Sequence, residues 1–533
     1  MPISSLQVST ADGTVQSITG KFETEITVAD LCKQITFYII PSVQNSIILG
    51  MDFLNAFNST LNCSNFSFSI SQFNLSLLSA IQDFTSLSSS EQRQLENMIS
   101  KFTTLSSKDK LGRTSLISHT IEVGDTTPFR QYQYPIPQAW QVDLEKEIDS
   151  MLELNIIEPS TSSYCSPLWL TKKKDGSFRV CFDGRKLNNI TTNRDAYPIP
   201  RIDVILSKLQ NARYISSIDL SKAFLQIPLS EESKKYTAFA VSGKGLFQFV
   251  TMPFGLVSAP QTMCRLMDLV IGPQLEPYVF YYLDDILVVT PDFSLHMEIL
   301  DKLFSRLKEA NLTINLDKCQ FCRPSLKFLG YVVDSKGLRT DPDKVTAIKD
   351  FPIPKTTTQV RRILGMCGYY RRFVPSYSTL LSPLTDLLKN RKKGQTITWT
   401  SEADDAFRRI KEALTSAPVM TSPNFKEHFY LMTDCSNTAS GGVLFQMKDG
   451  SEHPIAYTSK KLNKAQKNYS TTERELLAII HGLDAFRYYL EGRKFTIITD
   501  HSSLLWLHSM KNPSQRLSRW ICRLSVFDYN IVI

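Results

Sequence analysis

Hydrophobic and polar residues alternate through the first fifty positions. Val8-Ser-Thr, Thr14-Val-Gln-Ser-Ile and Phe22-Glu-Thr-Glu-Ile-Thr-Val change face residue by residue, which predicts short strands. That segment closes on the apolar run Ile47-Ile-Leu-Gly-Met-Asp-Phe-Leu54. From 58 to about 90 Ser and Asn dominate, which reads as a linker and lead-in continuing to 105. Helical spacing appears at 138–155, where Trp140, Leu144, Ile148 and Leu152 recur every four residues. Mixed strands and helices then run to about 335, basic helical text fills 340–415, and a strand–helix–strand block occupies 426–533. No repeat of solenoid length is visible.

Length and composition narrow the class. A chain of 533 residues is expected to hold three or four domains, and 42% hydrophobic with 21% charged residues describes a globular protein with several cores. No apolar run reaches the roughly 18–20 residues of a spanning helix, and no basic-then-apolar signal follows Met1, so the expectation is an intracellular protein. Ten irregularly spaced cysteines do not form a disulfide framework. The single Cys-x-x-Cys, Cys319 and Cys322, has no second pair to complete a zinc site. The sequons at Asn58, Asn62, Asn65 and Asn74 follow from the Asn/Ser-rich composition. Charge is uneven: residues 1–100 carry three basic and eight acidic residues, the remainder 57 and 44. An acidic start before a basic body fits a polyanion-binding surface beginning after about residue 100.

Candidate chemistry lies in two acidic elements 65 residues apart. Tyr214-Ile-Ser-Ser-Ile-Asp219 is a strand-like run ending in a carboxylate. Tyr281-Tyr-Leu-Asp-Asp-Ile-Leu-Val-Val289 reads as a hairpin with Asp284 and Asp285 at its turn. Alone, such a hairpin is as readily a surface turn. Nucleotidyl transfer gives the carboxylates a purpose: two Mg²⁺ ions roughly 3.5–4 Å apart activate a primer hydroxyl and neutralise the leaving pyrophosphate, and hard cations need oxygen ligands.

Tyr282-Leu-Asp-Asp285, with Ser217-Ile-Asp-Leu-Ser-Lys-Ala-Phe224 upstream, resembles the reverse transcriptase of gypsy-type long-terminal-repeat retrotransposons. Lys172-Lys-Lys-Asp-Gly-Ser-Phe-Arg-Val180 resembles its fingers hairpin. Leu187-Asn188, Tyr197-Pro-Ile-Pro-Arg-Ile-Asp203, Phe247-Gln-Phe-Val-Thr-Met-Pro-Phe-Gly-Leu256 and Lys327-Phe-Leu-Gly-Tyr-Val332 follow in the family's order. The resemblance implies that Asp219, Asp284 and Asp285 ligate Mg²⁺, with Mn²⁺ as the alternative. It implies that Lys173 and Arg179 clamp the incoming triphosphate and that Phe224 excludes a 2′-hydroxyl. Phe254 and Gly255 would shape the nucleotide pocket, and Leu329, Gly330 and Tyr331 would contact the primer end. Two departures stand out: Phe182-Asp-Gly184 where Val-Asp-Tyr is usual, and Val257-Ser258 where Lys-Asn is usual.

Farther along, Thr433-Asp-Cys-Ser436, His453-Pro-Ile-Ala-Tyr-Thr-Ser459, Tyr469-Ser-Thr-Thr-Glu-Arg-Glu-Leu476 and Thr499-Asp-His-Ser-Ser-Leu504 resemble the RNase H domain of the same family. Asp434, Glu475 and Asp500 would be three of its four metal-binding acids. Glu475 is preferred to Glu473 by motif position, since spacing does not separate them. The family's fourth acid lies in a later helix, for which Phe527-Asp-Tyr-Asn-Ile531 resembles the lead-in. With the sequence ending at Ile533, weak or no RNase H activity is expected. The 47–54 run resembles the end of a retropepsin-like protease, but Ala11-Asp-Gly13 lacks the hydroxyl residue of its catalytic loop, so no protease activity is expected. Between polymerase and nuclease, Val360-Arg-Arg-Ile-Leu-Gly-Met-Cys-Gly-Tyr-Tyr-Arg-Arg-Phe373 interleaves basic and aromatic residues. Arg361, Arg362, Arg371 and Arg372 are candidates for phosphate contact there.

The expected architecture is α+β and multidomain: a retropepsin-like remnant (1–57), a linker and lead-in (58–105), reverse transcriptase fingers and palm (106–335), a thumb and connection (336–425), and a truncated RNase H-like fold (426–533). The expected partners are an RNA template, a DNA primer, their hybrid and dNTPs, with an integrase encoded downstream and no membrane. The family's setting is a cytoplasmic virus-like particle with nuclear entry. Three rivals are weighed, a protease being the least favoured for want of its catalytic loop. An RNA-dependent RNA polymerase is disfavoured by Phe224 and the attached nuclease-like segment, and an inactive relic or binding-only fragment by the survival of all three polymerase acids.

Overall fold

A computed structural model describes residues 7–9, 15–17, 20–28, 31–39, 59–62, 67–70, 73–74 and 87–533, apart from 107–109, 173–177, 210–211 and 503–513. The chain divides into two compact units, one of Met1–Phe84 with Leu316–Cys319 and one of the remainder. Among the described residues no helix is long and apolar enough to cross a membrane.

In the first unit the described residues before 85 form antiparallel strands: Gln7–Ser9 with Val15–Ser17, Gly20–Val28 with Leu31–Ile39, and the three-stranded set Ser59–Asn62, Ser67–Ile70, Phe73–Asn74. The last set corrects the linker reading of 58–90. Phe66, Phe68 and Ile70 alternate with serines, a strand pattern that the Ser/Asn-rich composition hides. The retropepsin-like run at 47–54 lies outside the described residues.

The second unit opens on the helix Ser89–Lys101. Ser88 caps it, and the Glu91 side chain accepts from the Ser88 amide at 2.7 Å in a capping box. The amphipathic stretch at 138–155 becomes a helix at Gln141–Glu153 that buries Leu144, Ile148 and Met151. Trp140 and Leu152 drop out of the expected stripe because a true helical period of 3.6 carries the buried face to 151.

A four-stranded antiparallel sheet lies at the centre of 106–335, in the order Val279–Tyr282, Asp285–Thr290, Tyr214–Asp219, Gln320–Arg323. Ile215, Ile218, Ile286, Leu287 and Val288 are fully buried, as β-branched and aliphatic runs covered on both faces require. One continuous core joins Leu206, Ile215 and Leu287 to Val333, Val360, Phe373, Ile410 and Met420, so packing does not break at the expected 335/336 boundary. The C-terminal block is a five-stranded sheet ordered Ser451–Lys461, Ala439–Lys448, Phe429–Cys435, Lys494–Ile498, Asp528–Val532, with the last three parallel. The helix Thr471–Leu490 packs Leu476, Ile479, Ile480 and Leu483 against Phe429, Leu431, Phe495 and Ile497 of that sheet.

Candidate functional site

Strand register brings the three acids expected of a polymerase to one end of the central sheet. Asp219 pairs directly with Asp285, and Tyr282 pairs with Asp285 across a two-residue turn of Leu283 and Asp284. Leu283 adopts φ 57°, a left-handed conformation uncommon for a residue with a side chain. The expected hairpin is therefore present, with Asp284 in its turn and Asp285 opening the next strand. Asp219 and Asp284 are half-buried and Asp285 is exposed. Among the described residues no three His, Cys, Asp or Glu side chains stand close enough to form a closed metal cage. The backbone supplies the convergence, and the oxygen donor set fits a hard divalent cation.

Beside the acids, the turn Ala223–Gln226 buries Phe224. Its ring lies 5.0 Å from that of Phe254, and the Arg179 guanidinium carbon is 5.5 Å from the Phe254 ring centre. Three expected pocket residues from separate segments thus meet. Gln226, which sequence reasoning missed, holds the turn: its amide donates to Ser221 O (2.7 Å) and Thr313 O (2.9 Å), and its oxygen accepts from Thr313 N (2.7 Å). A fully buried Gln with every partner met is a positional constraint that periodicity does not reveal.

Gly255 is a backbone requirement. It sits at φ 101°, and a Cβ there would lie 2.7 Å from Phe182 O. A Cβ at Gly184 would likewise lie 2.7 Å from Gly255 O. The departure Phe182-Asp-Gly184 therefore has a local reason: the two loops touch backbone to backbone. Asn188 ties them, donating to Gly255 O at 2.8 Å and accepting from Val257 N at 2.9 Å. Asp183 accepts from Arg185 and from the Tyr134 hydroxyl (2.7 Å), and the paired Arg185 holds its carboxyl well below the usual range. Lys173 lies outside the described residues, between the paired strands Leu168–Lys172 and Phe178–Phe182.

Leu329 and Gly330 form a two-residue turn between Ser325–Phe328 and Tyr331–Asp334, both with positive φ (47° and 73°), as a tight hairpin demands. Tyr331 corrects an expectation. It is buried, with its ring stacked on Tyr369 (5.2 Å) and Phe373 (5.9 Å), and so faces the core instead of a primer. Arg372 corrects another: its side chain is only 12% exposed, with one guanidinium nitrogen 3.5 Å from the exposed Asp203 carboxylate. Arg361, Arg362 and Arg371 remain exposed.

In the C-terminal sheet Asp434 lies one residue from the end of Phe429–Cys435, and Asp500 follows Lys494–Ile498. Glu475, 6% exposed, projects from the first turns of Thr471–Leu490 towards them. Burial first, then the charges of Asp434 and Asp500, push its carboxyl up to about 7. One carboxylate oxygen, Oε2, is buried without a hydrogen-bond partner. An orphaned buried oxygen facing two more acids fits a divalent cation. Glu473, the alternative, is occupied: it completes the capping box with Ser470 and pairs with Arg516 at 3.0 Å. His501 Nε2 and Thr472 Oγ1 are 2.9 Å apart, linking the Asp500 loop to the helix that carries Glu475.

Residues 171–333 match the family "Reverse transcriptase (RNA-dependent DNA polymerase)", and 399–497 match the "RNase H-like domain found in reverse transcriptase". The Drosophila melanogaster Pol polyprotein from transposon 297 is 40% identical over 84% of this chain. The corresponding polyproteins of transposons opus and gypsy are 36% and 33% identical over 77% and 76% of the chain. Its homologues are Pol polyproteins of gypsy-type transposons. The gypsy-type chain spans 42%, 42% and 40% of these three relatives' own lengths. In fold it is similar to the foamy viral protease-reverse transcriptase solved in complex with double-stranded DNA, with TM-score 0.79 at 22% identity over 100% of this chain and 92% of that one. A second structure of that protein with double-stranded DNA gives TM-score 0.77 at 24% identity, over 86% and 96%. The chain thus carries a reverse transcriptase domain followed by an RNase H-like domain.

Proposed function

We infer that this chain is an RNA-directed DNA polymerase, transferring nucleotides from dNTPs to the 3′-hydroxyl of a DNA primer on an RNA template. The observation that carries the reading is the direct pairing of Asp219 with Asp285, with Asp284 in the adjoining turn. These carboxylates would hold Mg²⁺, or Mn²⁺ in its place, which when bound supplies hydroxyl activation and charge neutralisation. The chain's own groups do the remaining work. Arg179, beside Phe254, offers a planar fork of donors to the triphosphate, and Lys173 a second positive charge. The Phe224 ring, packed on Phe254, is a wall for the sugar edge and discriminates against a 2′-hydroxyl. Gly255 lets the pocket backbone approach closely. The Leu329–Gly330 turn meets the primer end, and exposed Arg361, Arg362 and Arg371 take phosphates without reading sequence.

The nuclease-like domain supports at most a weak second activity on the same product, removal of the RNA strand of the hybrid, with Asp434, Glu475 and Asp500 as metal ligands. Its support is the buried, unpartnered Glu475 oxygen facing the other two acids. The working context is a cytoplasmic virus-like particle, with an integrase as a further part of the polyprotein. The deciding experiment is Mg²⁺-dependent extension of a DNA primer on RNA by this chain and by Asp284→Asn. Extension lost in the variant with an unchanged melting curve supports the reading, and equal extension by both removes it.

A further inference from the structure

Two tyrosines at the end of the helix Thr357–Tyr369 reach back to the Leu329–Gly330 turn. Both carbonyls of that turn accept phenol hydroxyls: Tyr369 donates to Leu329 O, and Tyr370 donates to Gly330 O at 2.6 Å. Tyr331, the residue after the turn, donates to Tyr369 O at 3.2 Å and stacks on its ring. The Lys344 ammonium sits 4.7 Å over the Tyr369 ring and fills the space a Cβ on Gly330 would take. A side chain at Leu329 makes its left-handed conformation unfavourable by itself, so the turn depends on this outside hold.

Tyr370 differs from its neighbour. It is 1% exposed, so no nucleic acid can touch it, whereas Tyr369 is 38% exposed. Its hydroxyl donates to Gly330 O from within the core. A hydrophobic core position would be served by phenylalanine, as at Phe373 one turn on, and the hydroxyl here buys only the bond to the turn.

We propose that Tyr370 is a positioning residue for the primer terminus, acting through the Gly330 carbonyl to fix the turn against the helix that carries Arg361 and Arg362. The proposal rests on the reading of the Leu329–Gly330 turn as the primer-end contact. It gives the phosphate-facing helix and the primer-end turn a shared, hydrogen-bonded frame, so that gripping the duplex also sets where its 3′-hydroxyl lies.

The test is single-turnover primer extension on an RNA template, comparing the unaltered chain with Tyr370→Phe and Gly330→Ala. For Tyr370→Phe the maximal incorporation rate at saturating dNTP should fall about tenfold, with template–primer affinity changed less than about twofold. Matched-over-mismatched extension should fall several-fold, because a loosened terminus slows correct ends most. Loss of stability alone scales both rates equally, so a slowed Tyr370→Phe with an unchanged ratio overturns the proposal. A slowed Gly330→Ala beside a normal Tyr370→Phe also overturns it, while leaving the turn as the primer-end contact. Normal rates in both variants remove that contact and the proposal with it.

Discussion

The chain holds two acid triads built by different means. In the polymerase region Asp219 ends one strand, Asp285 opens its antiparallel neighbour and Asp284 sits in the adjoining turn, so convergence is a matter of register: Asp219 faces Asp285 because Tyr214 faces Thr290. In the nuclease-like region two acids end parallel strands and the third comes from a crossing helix, so convergence depends on which side of that helix meets the sheet. The first arrangement leaves its acids at a half-open edge. The second drives one carboxylate into the interior, where burial and two like charges work against ionisation. A site fixed by strand pairing tolerates solvent, whereas one fixed by helix packing carries a standing electrostatic cost until a cation arrives.

Substitutions in each triad tell the two designs apart. The largest effect is expected for Asp284→Asn, which should lower primer extension by about 10³-fold or more while leaving hybrid binding and melting temperature in place. Phe224→Val should follow, raising ribonucleotide incorporation relative to deoxynucleotide by roughly 10–100-fold, measured by competing the two on one template. Unchanged discrimination would show that this ring is not the wall.

Glu475 tests the other half of the comparison through pH. Its folded-state pKa of about 7 lies above its ordinary value of 4.5, so the folded form binds the extra proton. Stability from this group is therefore fully present below about pH 4.5 and is lost as pH rises through 7. Glu475→Gln should stabilise the metal-free protein at pH 8 by about 1–3 kcal/mol and do little at pH 4.5, read by denaturant titration at both values. Mg²⁺ should raise the melting temperature of the unaltered chain more at pH 8 than at pH 5, and a pH-independent increment would argue against these acids as its ligands. The smallest change is expected for Arg361→Ala: a three- to fivefold loss of template–primer affinity, on the order of one phosphate contact, with a shallower salt dependence. Arg372→Ala should instead lower stability, since that side chain is largely buried and its removal costs packing.

How much of this was legible in the sequence follows the same division. The acidic hairpin could be read because alternation and a two-residue turn are local, and the Phe224, Phe254 and Arg179 meeting because each lies in a recognisable motif. Glu475 and Glu473 could not be separated by spacing. Helix packing distinguishes them, burying the first and giving the second to Ser470 and Arg516. The inward faces of Tyr331 and Arg372 escaped notice because an aromatic–basic run looks alike whether it lines a groove or a junction. The strands between 59 and 74 were obscured by Ser and Asn, whose turn preference outweighed the alternating Phe and Ile.

The core that runs unbroken from Leu206 to Met420 makes one folding module of what motif order divides into two. Recombination between related elements at position 335 would join halves whose interiors had never matched, leaving Val360 and Phe373 against a foreign face. Lineages that exchange parts should therefore inherit the template-copying unit together with the helices behind it.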